Sequence, residues 1–159
     1  MNYLYLLNLL PPQKPTTNQP KNKMSHQPSQ KLVLVRAFNK CFYDFMDDVM
    51  TVMDFKAVFI QAKKNAEIIL SANPNILVRA WHEYLYSKYS EVIDAGDTNF
   101  FIDKDYSDDL SQFDYAEHIM EIVNTFRQPL KDLSDANKEM AMKHIQMLSR
   151  ICVKYRELP

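Results

Sequence analysis

The sequence contains a single glycine, Gly96, among its 159 residues, and this scarcity limits the folds that the chain can adopt. Turn-rich β folds need residues at positive φ, a conformation that glycine adopts most easily. Phosphate-binding loops need several glycines where the backbone approaches a phosphate. The chain instead uses many Leu, Met, Ala, Lys and Glu residues, which are good helix formers. The glycine content therefore argues against nucleotide sites of the Rossmann and P-loop kinds and favours an all-α fold.

Composition and charge are those of an ordinary globular chain. Hydrophobic residues make up 47% of the sequence and charged residues 25%, at a length typical of one domain. A net charge of −1 gives no overall field that would attract nucleic acid or an anionic membrane. The two cysteines, Cys41 and Cys152, are too few for a disulfide framework or a zinc site with four cysteines. We expect both to be buried thiols in a reducing compartment, and we expect no cofactor.

The N-terminal region divides into two parts. Residues 2–10 are mostly apolar but too few to span a bilayer. They lack a preceding basic segment, and Pro11 and Pro12 follow where a signal peptide would have small residues. This pattern predicts an intracellular protein that is not secreted and has no transmembrane segment.

Residues 11–29 carry almost no apolar side chains, and such a segment buries too little surface to offset its ordering entropy. We therefore predict a disordered tail over residues 1–29 and a single helical domain over residues 30–159. Met24 lies within the tail and is an alternative start of translation.

From residue 30 onwards, apolar residues recur every three or four positions, the period of an α-helix. The predicted helices span about 30–53, 55–71, 74–93, 115–127 and 135–156. Asp54 and Ser134 are suitable N-caps, and Gly96 is a suitable C-cap. Residues 97–114, in which acidic and aromatic residues mix, are expected to form a structured connector with one short helical turn. The prediction is an irregular bundle of about five helices.

Trp81 is the only tryptophan of the chain and lies in the middle of the third predicted helix. It shares a face with Leu77, Tyr84, Leu85 and Val92, which predicts a core position with the indole N–H bonded to a nearby acceptor. The alternative is an exposed anchor for a binding partner, a common role of tryptophan at interfaces.

The region from about residue 65 to 155 has a pattern of short elements that resembles a known group of proteins. It includes Ile69 to Pro74, Trp81-His82-Glu83-Tyr84, Tyr89, Asp97 to Phe101, Lys104-Asp105-Tyr106, Ser134, Ile145 to Ser149, and Tyr155. The pattern resembles short uncharacterised helical proteins of nucleocytoplasmic large DNA viruses, including algal and giant viruses. The resemblance implies a viral protein of the host cytoplasm or the virion, and it implies no activity, cofactor or catalytic residue.

One segment of the connector has the spacing of a calcium-binding loop. Its oxygen-bearing residues follow the order of EF-hand ligands, namely Asp103, Asp105, Ser107, Asp109 and Asp114. Two departures weaken this candidate, because Asp108 stands where the motif has glycine and Asp114 where it has glutamate. The alternative is an acidic connector whose aspartates cap neighbouring helices.

No other grouping of residues indicates catalysis. The histidines after the tail are His82, His118 and His144, and none has a second His or a Cys at metal-ligand spacing. No serine or cysteine lies in a recognisable nucleophile motif. The sequence therefore predicts a protein that is not an enzyme.

Basic residues provide a candidate nucleic-acid contact. Lys143, Arg150 and Lys154 form a stripe on the last predicted helix, opposite its apolar face. A run without acidic residues lies near the N-terminus and contains Lys14, Lys21, Lys23, Lys31, Arg36 and Lys40. Together these residues are candidates for phosphate contacts, and the alternative is a solvated helix face with a soluble tail.

Four apolar residues fall outside the predicted core faces and form a candidate partner surface. They are Tyr86, Ile93, Met142 and Val153. The leading functional hypothesis is accordingly a viral interaction or structural protein without enzymatic activity. The alternative hypothesis is an accessory factor that binds nucleic acid through its basic stripe and tail, and the oligomeric state stays open.

Overall fold

The computed structural model describes residues 29–52, 56–111, 120, 124 and 127–159, and within these ranges the chain is α-helical without strands. The helices are α1 (Gln30–Val52), α2 (Lys56–Ala72), α3 (Ile76–Ala80), a π-helical segment (Trp81–Tyr86), α4 (Ser87–Ala95), α5 (Thr98–Asp103), α6 (Ser107–Leu110) and α7 (Asp135–Glu157). Residues 127–132 are also helical. The predicted all-α, irregular bundle is thus confirmed.

Several predictions concern residues outside the described ranges. These are the tail up to residue 28, the alternative start at Met24, the cap at Asp54 and most of the helix expected at 115–127. The connector expected at 97–114 contains two short helices, α5 and α6, over its described part. None of the described helices combines the length and the apolar character needed to cross a membrane.

The two longest helices, α1 and α7, pack side by side in opposite directions. Near the start of α1, the Lys31 ammonium donates to the main-chain oxygen of Leu158 at 3.1 Å. Near the end of α1, the Asp48 carboxylate lies 2.7 Å from Nε2 of His144, early in α7. Contacts at both ends therefore fix the antiparallel register of the pair.

The core lies between α1, α3 and α7 and consists of fully or almost fully buried side chains. Its members are Val35, Phe38, Val78, Leu148, Cys152 and Tyr155. Burying a large apolar side chain such as Phe38 stabilises a fold by roughly 1.5–3 kcal/mol. The buried Cys152 thiol also donates to the carbonyl oxygen of Val78 at 3.3 Å, so the core contains a sulfur–backbone contact between α7 and α3.

Trp81 joins the same three helices. It is half-buried, and its indole N–H donates to the hydroxyl of Ser149, a buried residue of α7, at 3.0 Å. Its ring meets the ring of Phe38 on α1 edge-on, with 5.8 Å between centroids and an interplanar angle of 74°. The paired indole expected from the sequence is confirmed, whereas the ring packs against the edge of the core and is only partly buried.

The π-helical segment changes which residues of the following helix face inward. The N–H of Ser87 donates to the carbonyl of His82, five residues back, where an α-helix would use the residue four back. The extra residue in this turn shifts the inward face by one position. The backbone of Tyr89 is also non-helical, with φ of −127° and ψ of 20°, so α4 is kinked there. After these two irregularities Tyr89 and Ile93 are buried in α4, whereas the sequence pattern predicted Val92 at the core and Ile93 outside it.

The helix ends follow the predicted capping residues. Gly96 ends α4 in the left-handed conformation, with φ of 74°. The hydroxyl of Ser134 accepts the N–H of Asn137 at 3.3 Å and caps α7. Asp97 accepts the N–H of Phe100 at 3.0 Å and starts α5 directly after the glycine. The chain therefore reverses direction at Gly96 without a longer loop.

Replacing Trp81 with alanine tests its structural role. We expect the free energy of unfolding to fall by about 3–5 kcal/mol, because the variant loses the ring packing on Phe38 and leaves the buried Ser149 hydroxyl without its donor. The measurement is chemical denaturation followed by circular dichroism. Ile68→Ala is the matched control, since Ile68 is 69% exposed on α2 and should change stability by less than about 0.5 kcal/mol. A Trp81→Ala protein as stable as the control would contradict the core role.

Candidate functional site

A shallow groove lies between the end of the π-helical segment, α4 and the C-terminal half of α7. We call it the α4–α7 groove. It has a volume of about 240 Å³ and is lined by Tyr86, Asp94, Arg150, Val153, Lys154 and Glu157. The structure thus brings two residues of the predicted partner surface together with two residues of the predicted basic stripe.

The α4–α7 groove combines apolar and charged groups in a small area. Tyr86 and Val153 are half-buried and provide its apolar surface. Arg150 and Lys154 are exposed cations that form no ion pair or hydrogen bond with any other described residue. Asp94 and Glu157 are exposed acids that are likewise unpaired within the described part of the chain. The groove therefore offers charges of both signs that an external partner can engage.

The structure corrects the other half of the predicted partner surface. Ile93 is 0% exposed and Met142 is 4% exposed, so neither side chain is available to a partner. Ile93 turns inward after the π-helical segment and the kink at Tyr89. Met142 packs beneath the turn at Gly96, where its Cγ lies 3.9 Å from the position that a β-carbon on the glycine would take. Of the four predicted residues, Tyr86 and Val153 remain candidates for a partner surface.

The predicted basic stripe is divided between two places. Lys143 lies away from the α4–α7 groove and pairs with Glu139 at 2.7 Å. It borders a second, polar groove of about 520 Å³ between the Gly96 turn and the start of α7, which also contains Asp97 and Asp135. Acidic groups thus surround Lys143, and the three stripe residues do not form one continuous cationic surface.

The described part of the N-terminal basic run lies in α1, and its residues are dispersed. Lys31 donates to main-chain oxygens of Leu158 and Pro159. Lys40 pairs with Asp44 at 2.6 Å. Arg36 is exposed, and Lys14, Lys21 and Lys23 lie outside the described residues.

The described candidate calcium ligands each form hydrogen bonds or ion pairs with different residues. Asp103 pairs with Lys131 at 2.8 Å. Asp105 accepts the N–H and the hydroxyl of Ser107 at 2.9 and 2.6 Å, which holds a local turn. Asp114 lies outside the described residues. Within the described ranges, no group of three or more acidic, His or Cys side chains is arranged to hold a metal ion.

Asp109 is the most strongly engaged of these candidates. It accepts a short hydrogen bond from the Tyr89 hydroxyl and pairs with Lys104 at 3.1 Å and with Lys88 at 3.5 Å. The Tyr89 hydrogen bond, and then the two ammonium groups, hold the pKa of the Asp109 carboxyl below its usual value. Burial and the neighbouring carboxylate raise the pKa of Tyr89, which therefore stays protonated at neutral pH.

Lys104, which pairs with Asp109, also lies among aromatic rings. The ammonium of Lys104 is 5.5 Å from the ring centroid of Tyr89, 5.8 Å from that of Phe100 and 5.7 Å from that of Tyr106. All three distances are within the range of cation–π attraction. We call the three rings and Asp109 the Lys104 cage. The sequence pattern did not predict this cage, because Tyr89 is on α4 and the other members follow residue 97. The one indication was the mixture of aromatic and charged residues in that later stretch.

The described histidines and cysteines show packing roles. His144 contacts Asp48 and lies 5.5 Å from the Phe45 ring, between α1 and α7. His82 lies beside Tyr86, with 6.3 Å between ring centroids. Burial raises the pKa of the Cys152 thiol to about 11, so it stays protonated at neutral pH. Cys41 is half-buried and free, and burial raises its pKa as well. His118 is not among the described residues.

Comparisons of this chain with family models, with curated proteins and with solved structures find no match. Functional inference consequently depends on the geometry of the groove and the cage themselves.

Calcium should leave the melting temperature of the protein nearly unchanged. The oxygen atoms of Asp103, Asp105 and Asp109 already serve separate partners, and two ammonium groups repel a divalent cation from Asp109. The measurement is a thermal melt with calcium titrated up to the millimolar range, with magnesium as the ionic-strength control. A stabilisation specific to sub-millimolar calcium would establish the loop as a metal site.

Asp109 should stabilise the fold in a pH-dependent way. Because its pKa is lowered in the folded state, its contribution is present above the unfolded value near 3.8 and is lost as the pH falls through the folded value. Asp109→Asn should lower the free energy of unfolding by about 1 kcal/mol at pH 7. The difference from the native protein should disappear in acid.

Denaturation of both proteins between pH 2.5 and pH 7 (range chosen to bracket about 3.9, the ordinary Asp pKa) provides the measurement. Asp108→Asn is the control, because Asp108 is the exposed neighbour. A deficit of the Asp109 variant that persists unchanged in acid would contradict the assignment.

Proposed function

We propose that this protein has no enzymatic activity and acts as an interaction or structural component that docks a partner protein in the α4–α7 groove. The observation that carries the proposal is the grouping of Tyr86 and Val153 with four charged side chains that form no ion pair with another described residue, all in one surface depression. Apolar anchors surrounded by a polar rim are the usual anatomy of protein–protein interfaces.

The size of the groove favours a protein segment over a small molecule. Its volume of about 240 Å³ is below the roughly 300–1,000 Å³ typical of small-molecule sites. Tyrosine and arginine are enriched among the residues that dominate interface energetics. The groove places Tyr86 and Arg150 at its edge, where a partner helix or loop can reach both.

The charges of the groove favour a protein over nucleic acid. Asp94 and Glu157 lie beside Arg150 and Lys154, so a phosphate backbone entering the groove would meet repulsion as well as attraction. Lys143, the third residue of the basic stripe, pairs with Glu139 elsewhere. A protein segment with both acidic and basic side chains around an apolar residue is complementary to this pattern.

A viral role is part of this proposal. The resemblance to short proteins of large DNA viruses supports it, and it suggests work in the host cytoplasm or in the virion. A component without a catalytic centre, with one compact helical docking surface, fits an accessory or structural role in such a virus.

Site-specific photo-crosslinking in cells that make the protein tests the proposal. A benzophenone amino acid at Val153 should crosslink one discrete protein, and the same group at Ile68, on exposed α2, should not. Arg150→Glu should abolish the crosslink from Val153. With the purified partner, Tyr86→Ala should weaken binding at least tenfold without lowering the melting temperature. Equal crosslinking from the two positions would contradict the groove as the docking site.

The alternative function, nucleic-acid binding, is tested by measuring the binding of DNA and RNA at increasing salt concentration. Nucleic-acid binding that is lost steeply with increasing salt and abolished by Arg150→Glu would replace the protein partner with a nucleic acid. We expect only weak binding that is the same for the native and variant proteins.

A further inference from the structure

We propose that the Lys104 cage is a binding site for alkylammonium groups and that the chain's own Lys104 is its resident ligand. The cage consists of the rings of Tyr89, Phe100 and Tyr106 and the carboxylate of Asp109. This inference is independent of the α4–α7 groove, because none of the cage residues lines that groove.

The composition of the cage matches an organic cation. Three ring faces attract a cation through their quadrupoles, and the Asp109 carboxylate, which also pairs with Lys88 at 3.5 Å, supplies the opposite charge. The Lys104 ammonium is 3.1 Å from the carboxylate and within 5.8 Å of each ring centroid. A metal ion would need several oxygen ligands, and the cage offers only one carboxylate among its aromatic walls. Its chemistry therefore selects ammonium and methylated ammonium groups.

The walls of the cage are held by bonds that do not involve the Lys104 side chain. The Tyr89 hydroxyl donates to Asp109, and the Tyr106 hydroxyl donates to the carbonyl of Phe101 at 3.0 Å. The Phe100 N–H is capped by Asp97 at 3.0 Å. The rings of Tyr89 and Tyr106 stand at 89° to each other, with 6.4 Å between centroids. None of these contacts uses the Lys104 ammonium.

The backbone of Lys104 is held by a separate hydrogen bond. The guanidinium of Arg127 donates a short hydrogen bond to the carbonyl oxygen of Lys104. Truncating the lysine side chain leaves this anchor in place. The side chain is 23% exposed, so the cage opens to solvent on one side. A small cation can therefore enter the space that the Lys104 ammonium vacates.

The first test opens the cage with Lys104→Ala and titrates tetramethylammonium chloride, with chemical shifts of the aromatic protons as the readout. The expected result is saturable binding with a Kd on the order of millimolar. Lys104→Met is the matched control, because its side chain fills the cage without a charge, and it should not bind. Adding Tyr106→Leu to the alanine variant should weaken binding at least tenfold. A folded alanine variant without saturable binding would overturn the proposal.

A second test uses the native sequence and does not require the alanine variant to fold. Reductive methylation with ¹³C-formaldehyde converts the lysines to dimethyl-lysines, which keep their positive charge. The Lys104 methyl signal, assigned by its absence in Lys104→Met, should be displaced upfield by the ring currents of the cage. The methyl signal of Lys64, an exposed residue of α2, should show no displacement. A Lys104 signal at the position of Lys64 would show that the cage does not hold an alkylammonium group.

Discussion

The contact of Trp81 with Ser149 and Phe38 is the joint on which the rest of the structure depends. It brings together an aromatic ring of α1, the start of the π-helical segment and a buried hydroxyl of α7. The hydrogen bond satisfies a polar group in an otherwise apolar core, and leaving that group unpaired would cost about 1–3 kcal/mol. Because the indole fits only when the three helices are in register, the joint also fixes their relative positions.

The π-helical segment connects this core contact to residues at the protein surface. It begins at Trp81, which packs against the core, and ends at Tyr86, which lines the α4–α7 groove. The added residue rotates the following helix so that Tyr89 and Ile93 turn inward. Tyr89 then becomes a wall of the Lys104 cage. The π turn and the kink at Tyr89 therefore lie between the core contact of Trp81 and the residues of the cage.

Local rules predicted much of the fold. The helical period, the glycine cap at Gly96 and the serine cap at Ser134 depend on neighbours within a few residues, and all three are confirmed. The assignment of Ile93 to the surface was wrong because periodicity assumes an uninterrupted α-helix, and nothing in the sequence marked the π turn. The Lys104 cage escaped prediction because its rings come from α4 and from the connector. The relative position of these rings depends on the path of the chain after Gly96. Residue patterns within a single helix do not reveal that path.

The antiparallel pairing of α1 and α7 has a consequence for how the protein is made. The residues that cover Phe38 and Val35 include Leu148 and Cys152, which are synthesised more than a hundred positions later. At about 5–20 residues per second, the ribosome takes on the order of ten seconds to add that length. During this interval the apolar face of α1 lacks its permanent neighbour. The apolar face of α1 therefore stays exposed in a newly made chain until α7 emerges and packs on it, and exposed hydrophobic surface of this kind promotes aggregation.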